Sequence, residues 1–177
     1  MFWPESDASD KPRSTDYMKS ALQPRTLKEK NKKVYDAFVK ACGDAKLANK
    51  ALTWGEYPSV GVAKGMIEIA GKKMCGMNPP KFFNQNSNVV LISDIRTWPL
   101  EECSWEGDLV KNKRRFECTL LHEMVHWVRM KAGLPDEDWD HFPDSPLEAG
   151  DQFEIWAYGK LLCSTDEIDD AILSVRK

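Results

Sequence analysis

The chain has 177 residues, of which 42% are hydrophobic and 30% charged, and this is the composition of a globular domain rather than of a long disordered segment. A net charge of −3 and the mixing of acidic with basic residues exclude the composition of a typical nucleic-acid-binding protein, so the lysines of residues 28–33 are interpreted as a solvated helix face. No stretch reaches the roughly 20 apolar residues that a membrane span requires, and the first residues lack the apolar run of a standard secretory signal.

The first half of the chain combines helical patterns with short candidate strands. Residues 1–25 are polar and contain three prolines, which predicts a flexible N-terminal arm, and a single domain is expected over residues 26–177. Apolar residues at helical spacing predict a helix over residues 26–42, and a shorter helix is expected directly after it, over residues 44–52. Two apolar stretches, at 66–70 and 88–93, are candidate strands, the second being the richer in β-branched residues.

Helices dominate the second half of the sequence. A broad apolar surface predicts a long helix over about residues 113–132, and Gly133 follows it as a suitable C-terminal cap. The next helix is expected to begin at Ser145, with Glu148 completing a capping box, and to run to about residue 162. A last helix has a similar start signal at Ser164. The fold class expected is therefore α+β, helix-dominated with a small β-sheet.

The motif that carries chemistry is His122-Glu123-x-x-His126, in the middle of the long predicted helix. Residues four apart lie on one face of a helix, so both imidazoles can reach one Zn²⁺ ion. Glu123 is adjacent to the first histidine and can activate a water for attack on a peptide carbonyl. The predicted function is a zinc-dependent peptidase with His122 and His126 as metal ligands and Glu123 as the catalytic base.

A catalytic zinc usually has three protein ligands, and the third ligand is less clear from the sequence. The pattern HExxHxxGxxH does not apply, because Ala132 occupies the position of its last histidine. The third ligand is therefore expected to be a carboxylate on the next helix. Glu154 is favoured and Glu148 is the alternative, with Asp151 and His141 as further candidates.

Tyr158 is a candidate for a second catalytic role. It shares one face of the predicted helix with Asp151 and Glu154. Its hydroxyl can donate a hydrogen bond to the oxyanion of the reaction, and Asp151 can orient a histidine ligand. The alternative for Tyr158 is an ordinary amphipathic residue of the core.

The run Thr119-Leu-Leu-His-Glu-Met-Val-His-Trp-Val128 resembles the extended signature of the zincin metallopeptidases. The segment of residues 148–154, followed by Ala157-Tyr158-Gly159, resembles the matching block of the metallopeptidase toxin domains of bacterial polymorphic toxins and type VI secretion effectors. The resemblance covers residues 116–162. It implies a zincin-like fold of the gluzincin type, with a helix that carries HExxH, a small sheet whose edge strand aligns substrate, and a glutamate helix.

By this resemblance His122 and His126 are zinc ligands, Glu123 is the catalytic base, and Glu148 or Glu154 holds the third-ligand position. The same likeness implies a secreted toxin or effector that leaves the cell by a specialised secretion system and cleaves a protein or peptide in a target cell. An immunity protein would be its partner. The alternatives are a housekeeping processing peptidase of the same fold and a non-catalytic zinc-binding interaction module, against which the intact Glu123 argues.

Overall fold

The structure is a computed structural model that describes residues 1–3, 10–64, 67–69, 72–74, 76–77, 88–135 and 147–162. Within these ranges the helices and strands follow in this order: α1 Pro12–Ser20, α2 Pro24–Lys30, α3 Lys32–Cys42, α4 Ala45–Leu52, β1 Ser59–Ala63, β2 Ile67–Ile69, β3 Lys72–Met74, β4 Gly76–Met77, β5 Val89–Ser93, α5 Asp94–Glu102, α6 Glu106–Lys131 and α7 Ala149–Tyr158. Helices outweigh strands, so the predicted α+β class is confirmed. None of the helices in these ranges is long and apolar enough to cross a membrane.

The strands of the described ranges form two small sheets. In the larger one β5 lies between β1 and β4, pairing in parallel with β1 and antiparallel with β4. The β4 pairing places Gly76 opposite Ile92. The second sheet is the antiparallel pair of β2 and β3. The predicted strands at 66–70 and 88–93 are therefore confirmed as β2 and β5, since both patterns fall on residues that pair in a sheet.

The core is built around α6. Every residue from 116 to 129 of this helix is buried, so its C-terminal half is enclosed on all sides. Helices α3, α4, α5 and α7 and strands β4 and β5 all pack against α6. Helix α7 is also held to α3 by an edge-to-face contact between Phe153 and Phe38, whose ring centroids are 6.1 Å apart. The HExxH segment thus lies at the centre of the fold rather than on its surface.

The helix predicted over residues 26–42 is two helices in the structure. Asn31 separates α2 from α3, with a φ of −143° and a ψ of 65° that do not continue a helix. Its side chain accepts a hydrogen bond from the backbone N–H of Val34 and so caps α3. An asparagine favours this capping role over a helix interior, and the apolar periodicity alone does not reveal the break. Helix α4 agrees with its prediction and is capped by Asp44.

Residues 1–25 were expected to form a flexible arm, but the described part of this segment, residues 1–3 and 10–25, packs against the core. Helix α1 buries Met18, and Leu22 after it is completely buried as well. Trp3 is also part of the core cluster. Two of the prolines lie in the first turn of a helix, Pro12 in α1 and Pro24 in α2. Proline fits at that position, so these residues start helices instead of preventing them.

The helices around the motif also have bounds that differ from those predicted. Helix α6 begins at Glu106 rather than at residue 113, because its polar first turns extend beyond the core with acidic residues at the positive end of the helix dipole. Helix α5 was not predicted, since Pro99 lies inside it. Helix α7 begins at Ala149, and the left-handed Gly159, with a φ of 82°, ends it. The predicted cap Ser145, the predicted helix from Ser164 and His141 lie outside the described residues.

Candidate metal centre

His122, Glu123 and His126 lie together in the enclosed half of α6. Each has between 7% and 8% of its surface exposed, so none is fully sealed from solvent and none is on the open surface. The two imidazoles are on one face of the helix, with ring centroids 5.0 Å apart. This is the arrangement expected from the sequence, because the spacing of four residues fixes it wherever the segment is helical.

Glu148 approaches both histidines from the residue just before α7. Its Oε1 atom lies 3.0 Å from Nε2 of His122 and 3.6 Å from Nε2 of His126. The ligand atoms of a tetrahedral zinc are about 3.4 Å apart, because each bond is about 2.1 Å long. The separations in this cluster therefore fit a metal ion, and these three residues form one of the two candidate metal-binding groups of the described chain. The Glu148 side chain is 35% exposed, which leaves a route from solvent to the cluster.

Glu154 contacts the other nitrogen of the same imidazole. Its Oε1 atom lies 2.7 Å from Nδ1 of His122, and its Oε2 atom accepts a hydrogen bond of 2.5 Å from the backbone N–H of Leu162. The carboxylate is completely buried. When Nδ1 donates its proton to Glu154, Nε2 is the nitrogen that can bind a metal. Glu154 was the favoured third ligand from the sequence, but the group that contains both histidines includes Glu148 instead.

Asp151 completes the acidic surroundings of His122. Together with His122 and Glu154 it forms the second candidate metal-binding group, which does not contain His126. Its carboxyl group is partly buried, and this burial raises its pKa above the ordinary value. Asp151 was considered from the sequence both as a ligand and as a residue that orients a histidine, and the structure places it beside the same imidazole.

The electrostatics of the cluster favour positive charge at the imidazole of His122. Burial by itself lowers the pKa of His122, but hydrogen bonds to Glu148 and Glu154 and the charge of Glu123 outweigh it, so the pKa is raised well above the ordinary value. The hydrogen bonds from His122 and His126 hold the pKa of Glu148 far below its usual range, although burial opposes them. A buried group of carboxylates and imidazoles of this kind is suited to hold a cation.

Two glycines, which the sequence analysis did not single out, shape the cluster. A Cβ atom at Gly150 would lie 2.5 Å from Cδ2 and Nε2 of His122, so the first turn of α7 can approach the imidazole only without a side chain. A Cβ atom at Gly76 would lie 2.6 Å from Cγ of Glu123, which shows that the backbone of β4 packs directly on the expected base. A glycine inside a predicted helix was the available signal for Gly150.

The hydroxyl of Tyr158 contacts α6 at Glu117. It donates a hydrogen bond of 2.9 Å to Oε1 of Glu117, and the hydroxyl of Tyr17 donates one of 2.6 Å to Oε2 of the same carboxylate. The expected oxyanion role therefore has no support from the position of this hydroxyl. Tyr158 shares a face of α7 with Glu154 as predicted, but it contacts α6 five residues before His122.

Arg129 links the segment that follows α6 to the end of α3. It occupies the glycine position of the HExxHxxGxxH pattern and is buried. Its guanidinium donates hydrogen bonds of 2.9 Å to the carbonyl of Ala41 at the end of α3 and of 2.8 Å to the carbonyl of Pro135. The structure after the second histidine is therefore fixed by a side chain that the short third-histidine pattern does not contain.

Comparison with known proteins identifies a family. Residues 7–159 match the family described as Metallopeptidase toxin 3, and the match spans all helices from α1 to α7. No curated protein and no solved structure matches the chain. The matched residues include HExxH, Glu148 and Glu154, so the candidate metal centre lies within the segment that the family shares.

Proposed function

The chain belongs to the Metallopeptidase toxin 3 family, and on this basis we propose that it is a zinc-dependent peptidase that hydrolyses protein or peptide bonds. The observation that carries the proposal is the position of Glu148, whose Oε1 atom lies near Nε2 of both His122 and His126. A catalytic zinc site has three protein ligands and one open position, and this cluster offers three ligands with a partly exposed side.

In this proposal His122, His126 and Glu148 hold the zinc ion. When bound there, zinc supplies Lewis-acid chemistry that makes water a nucleophile near neutral pH. Glu123 takes the proton from the attacking water and delivers it to the amine that leaves. Two observations support Glu123 in this role. It follows His122 directly on the buried part of α6, and Gly76 packs on its side chain and restricts where the carboxylate can lie.

Glu154 has a different role from Glu148 in this proposal. It accepts the Nδ1 proton of His122 and so presents Nε2 to the metal. Its second oxygen is occupied by the backbone N–H of Leu162, which holds the carboxylate in one orientation. We therefore propose Glu154 as a positioning residue and Glu148 as the third ligand, with the gluzincin-type arrangement retained.

The substrate is proposed to lie along β4. Among the described strands β4 has a neighbour on one side only, so its other edge offers backbone hydrogen-bonding groups. Gly76 brings one face of this strand into contact with Glu123. An extended peptide added to β4 would pass beside the proposed base, as the zincin-like fold implies.

We also propose that the peptidase acts as a secreted toxin. The family description supports a toxin domain. Delivery to a target cell by a specialised secretion system, and an immunity protein as partner, are the further parts of this proposal. A housekeeping peptidase of the same fold is the competing proposal.

The decisive experiment measures zinc content and casein cleavage for the wild type and for Glu123→Gln. We expect about one zinc per chain in both proteins, and a loss of cleavage by about 10²–10⁴-fold in the variant. Wild-type protein that holds no zinc after resupply would overturn the proposal. Wild type that binds zinc but cleaves no faster than Glu123→Gln would identify a zinc-binding module without catalysis.

The toxin proposal needs a separate measurement. The wild type and Glu123→Gln are expressed in a bacterial cytoplasm and, with an added signal, in the periplasm. Growth inhibition by the wild type alone supports a toxin. Normal growth in both compartments, with cleavage activity shown in the extracts, favours the housekeeping peptidase.

A further inference from the structure

A second polar cluster lies further towards the N-terminus of α6. Glu117 has 6% of its surface exposed, and both of its carboxylate oxygens accept hydrogen bonds from tyrosine hydroxyls. Tyr17 comes from α1 and Tyr158 from the end of α7, so three helices meet at this carboxylate. The two hydrogen bonds fix both aromatic rings. None of these residues is used in the proposed reaction.

A cavity of about 400 Å³ opens over this cluster. It is within the size range of roughly 300–1,000 Å³ that is usual for ligand sites. Its lining comes from α1, the start of α3 with Asn31 before it, α6 and α7. Apolar side chains alternate there with six polar ones: Tyr17, Asn31, Lys113, Arg114, Glu117 and Tyr158. We refer to this cavity as the Tyr17–Tyr158 pocket.

Two cationic side chains lie over the tyrosine rings that line the pocket. The Nζ atom of Lys113 lies 5.8 Å from the ring centroid of Tyr17, and the Cζ atom of Arg114 lies 5.2 Å from that of Tyr158. Within the described part of the chain, neither cation makes a salt bridge, although the charge of Arg114 acts on Glu117. Their positive charge is thus held at the pocket and available to an anion.

The pocket also joins two basic segments that are far apart in sequence. Residues 28–33 contain four lysines and one glutamate, and residues 111–115 contain four lysines or arginines and no acidic residue. Asn31 and Val34 line the pocket from the first segment, and Lys113 and Arg114 line it from the second. Of the acidic side chains nearby, Glu29 pairs with Arg25 and Asp36 with Lys32, and Glu117 in the lining accepts hydrogen bonds from the two tyrosines. Lys113 and Arg114 therefore place two positive charges at the pocket of a chain whose net charge is −3.

We propose that the Tyr17–Tyr158 pocket is a docking site for an acidic segment of a protein partner, with one carboxylate entering between Lys113 and Arg114. Complementary charge is the argument for the partner's chemistry. A polypeptide fits better than a nucleic acid. The pocket takes one side chain rather than following a phosphate backbone, and Lys113 and Arg114 cover the tyrosine rings on which bases would stack.

The pocket is separate from the metal centre. Glu117 precedes His122 by five residues of α6, which turns its side chain about 140° around the helix from that of His122. A peptide that lies across HExxH would therefore not continue into the pocket. The partner is expected to bind without being cleaved, and the proposal does not depend on the catalytic one.

The test uses the full chain with Glu123→Gln, so that the probe stays intact, and a fluorescein-labelled oligoglutamate peptide as the probe. We expect binding by fluorescence anisotropy that weakens with added salt and falls by about tenfold or more in Lys113→Ala/Arg114→Ala. Lys46→Ala/Lys50→Ala is the matched control, because it removes the same charge from two exposed lysines of α4. This control is expected to bind nearly as well as the parent.

Three outcomes would overturn the proposal. They are no binding of the oligoglutamate, equal weakening in both double variants, and tighter binding of a single-stranded oligonucleotide of the same charge. Zinc content is measured on every protein. Unchanged zinc content in Lys113→Ala/Arg114→Ala, together with weaker peptide binding, shows that the variant is folded. It also shows that peptide binding at the pocket is independent of zinc binding, so each proposal can be tested without the other.

Discussion

Glu154 and His122 are joined by a contact of 2.7 Å between Oε1 and Nδ1, deep in the interface of α6 and α7. The opposite nitrogen of the same imidazole, Nε2, lies 3.0 Å from Oε1 of Glu148. One ring therefore separates two carboxylates. A metal ion at Nε2 would be within reach of Glu148 and on the far side of the ring from Glu154. Substitutions of the two glutamates should therefore differ in their effect on zinc binding.

Glu148→Ala is expected to abolish stoichiometric zinc binding, whereas Glu154→Gln is expected to keep it. Removing Glu148 removes a proposed ligand at a partly exposed site, at little cost to the fold. Glu154→Gln keeps an acceptor for Nδ1 but satisfies the Leu162 N–H less well, so zinc affinity should fall by only about 10–100-fold, the usual effect of losing a group that orients a ligand. Elemental analysis and competition with a chelator of known affinity measure both quantities.

The reverse pattern, with zinc lost in Glu154→Gln and kept in Glu148→Ala, would return the third-ligand role to Glu154. A thermal melt of each zinc-free protein provides the control for folding. Glu154 is completely buried, and one unsatisfied hydrogen bond there costs about 1–3 kcal/mol.

Gly150→Ala is expected to weaken zinc binding although residue 150 is not a ligand. The new Cβ atom would lie 2.5 Å from the imidazole of His122, so either the ring or the start of α7 must move. Such overpacking typically costs about 1–3 kcal/mol. Gly107→Ala is the matched control, because it is another helical glycine and its Cβ atom would lie no closer than 3.7 Å to a neighbour. The control should raise the free energy of unfolding by about 0.5–1 kcal/mol. Equal zinc affinity in both variants would show that Gly150 does not constrain His122.

The relative positions of His122, Glu123 and His126 were predictable because their arrangement is local. Four residues of helix place His122 and His126 on one face whatever surrounds them. The choice between Glu148 and Glu154 was not local. The capping-box pattern placed Glu148 inside a helix, but α7 begins one residue later, and the extended backbone of Glu148 lets its side chain reach the histidines. The predicted start of the helix thus influenced the choice of Glu154 over Glu148 as the favoured ligand.

Tyr158 and the N-terminal residues show two further limits of the sequence. Tyr158 was correctly placed on the face of α7 that carries Glu154, but α7 runs antiparallel to α6, so the next turn of α7 meets Glu117 rather than the histidines. The relative direction of two packed helices cannot be deduced from the apolar periodicity of either one. The N-terminal segment has few apolar residues, yet Met18 and Leu22 are completely buried. The average polarity of a segment does not show whether its few apolar side chains pack in the core.

Gly76→Ala is expected to lower kcat while zinc stays bound. The added Cβ atom would lie 2.6 Å from Cγ of Glu123, and displacing a catalytic base by about 1 Å can cost roughly 10²-fold in rate. Gly61→Ala on β1 is the matched control. Its Cβ atom would meet Cδ2 of Leu91 at 2.8 Å, and the end of a leucine side chain can move aside. The cleavage rate at saturating substrate and the zinc content are measured for both variants, so that a lower kcat is distinguished from a loss of zinc. Normal kcat in Gly76→Ala would mean that β4 does not position Glu123.

Glu117→Gln is expected to change the pH dependence of stability. Burial raises the pKa of Glu117 above the ordinary value of 4.5, and the hydrogen bonds from Tyr17 and Tyr158 and the charge of Arg114 offset only part of this shift. A pKa that is raised in the folded state favours the protonated form of Glu117. The contribution of this shift to the free energy of unfolding is therefore complete below pH 4.5 and is lost as the pH rises through the folded-state pKa. The free energy of unfolding of the wild type, minus that of Glu117→Gln, should therefore fall with increasing pH over this window.

Urea unfolding of both proteins in parallel, from pH 4.5 towards neutral, measures this difference and cancels the titration of groups that they share. Glu106→Gln, at an exposed position of the same helix, controls for the loss of one charge. A difference that rises with pH would mean that the hydrogen bonds from the two tyrosines outweigh burial and that Glu117 is ionised under all working conditions. In that case the Tyr17–Tyr158 pocket would carry one more negative charge, and its affinity for an acidic partner should be lower.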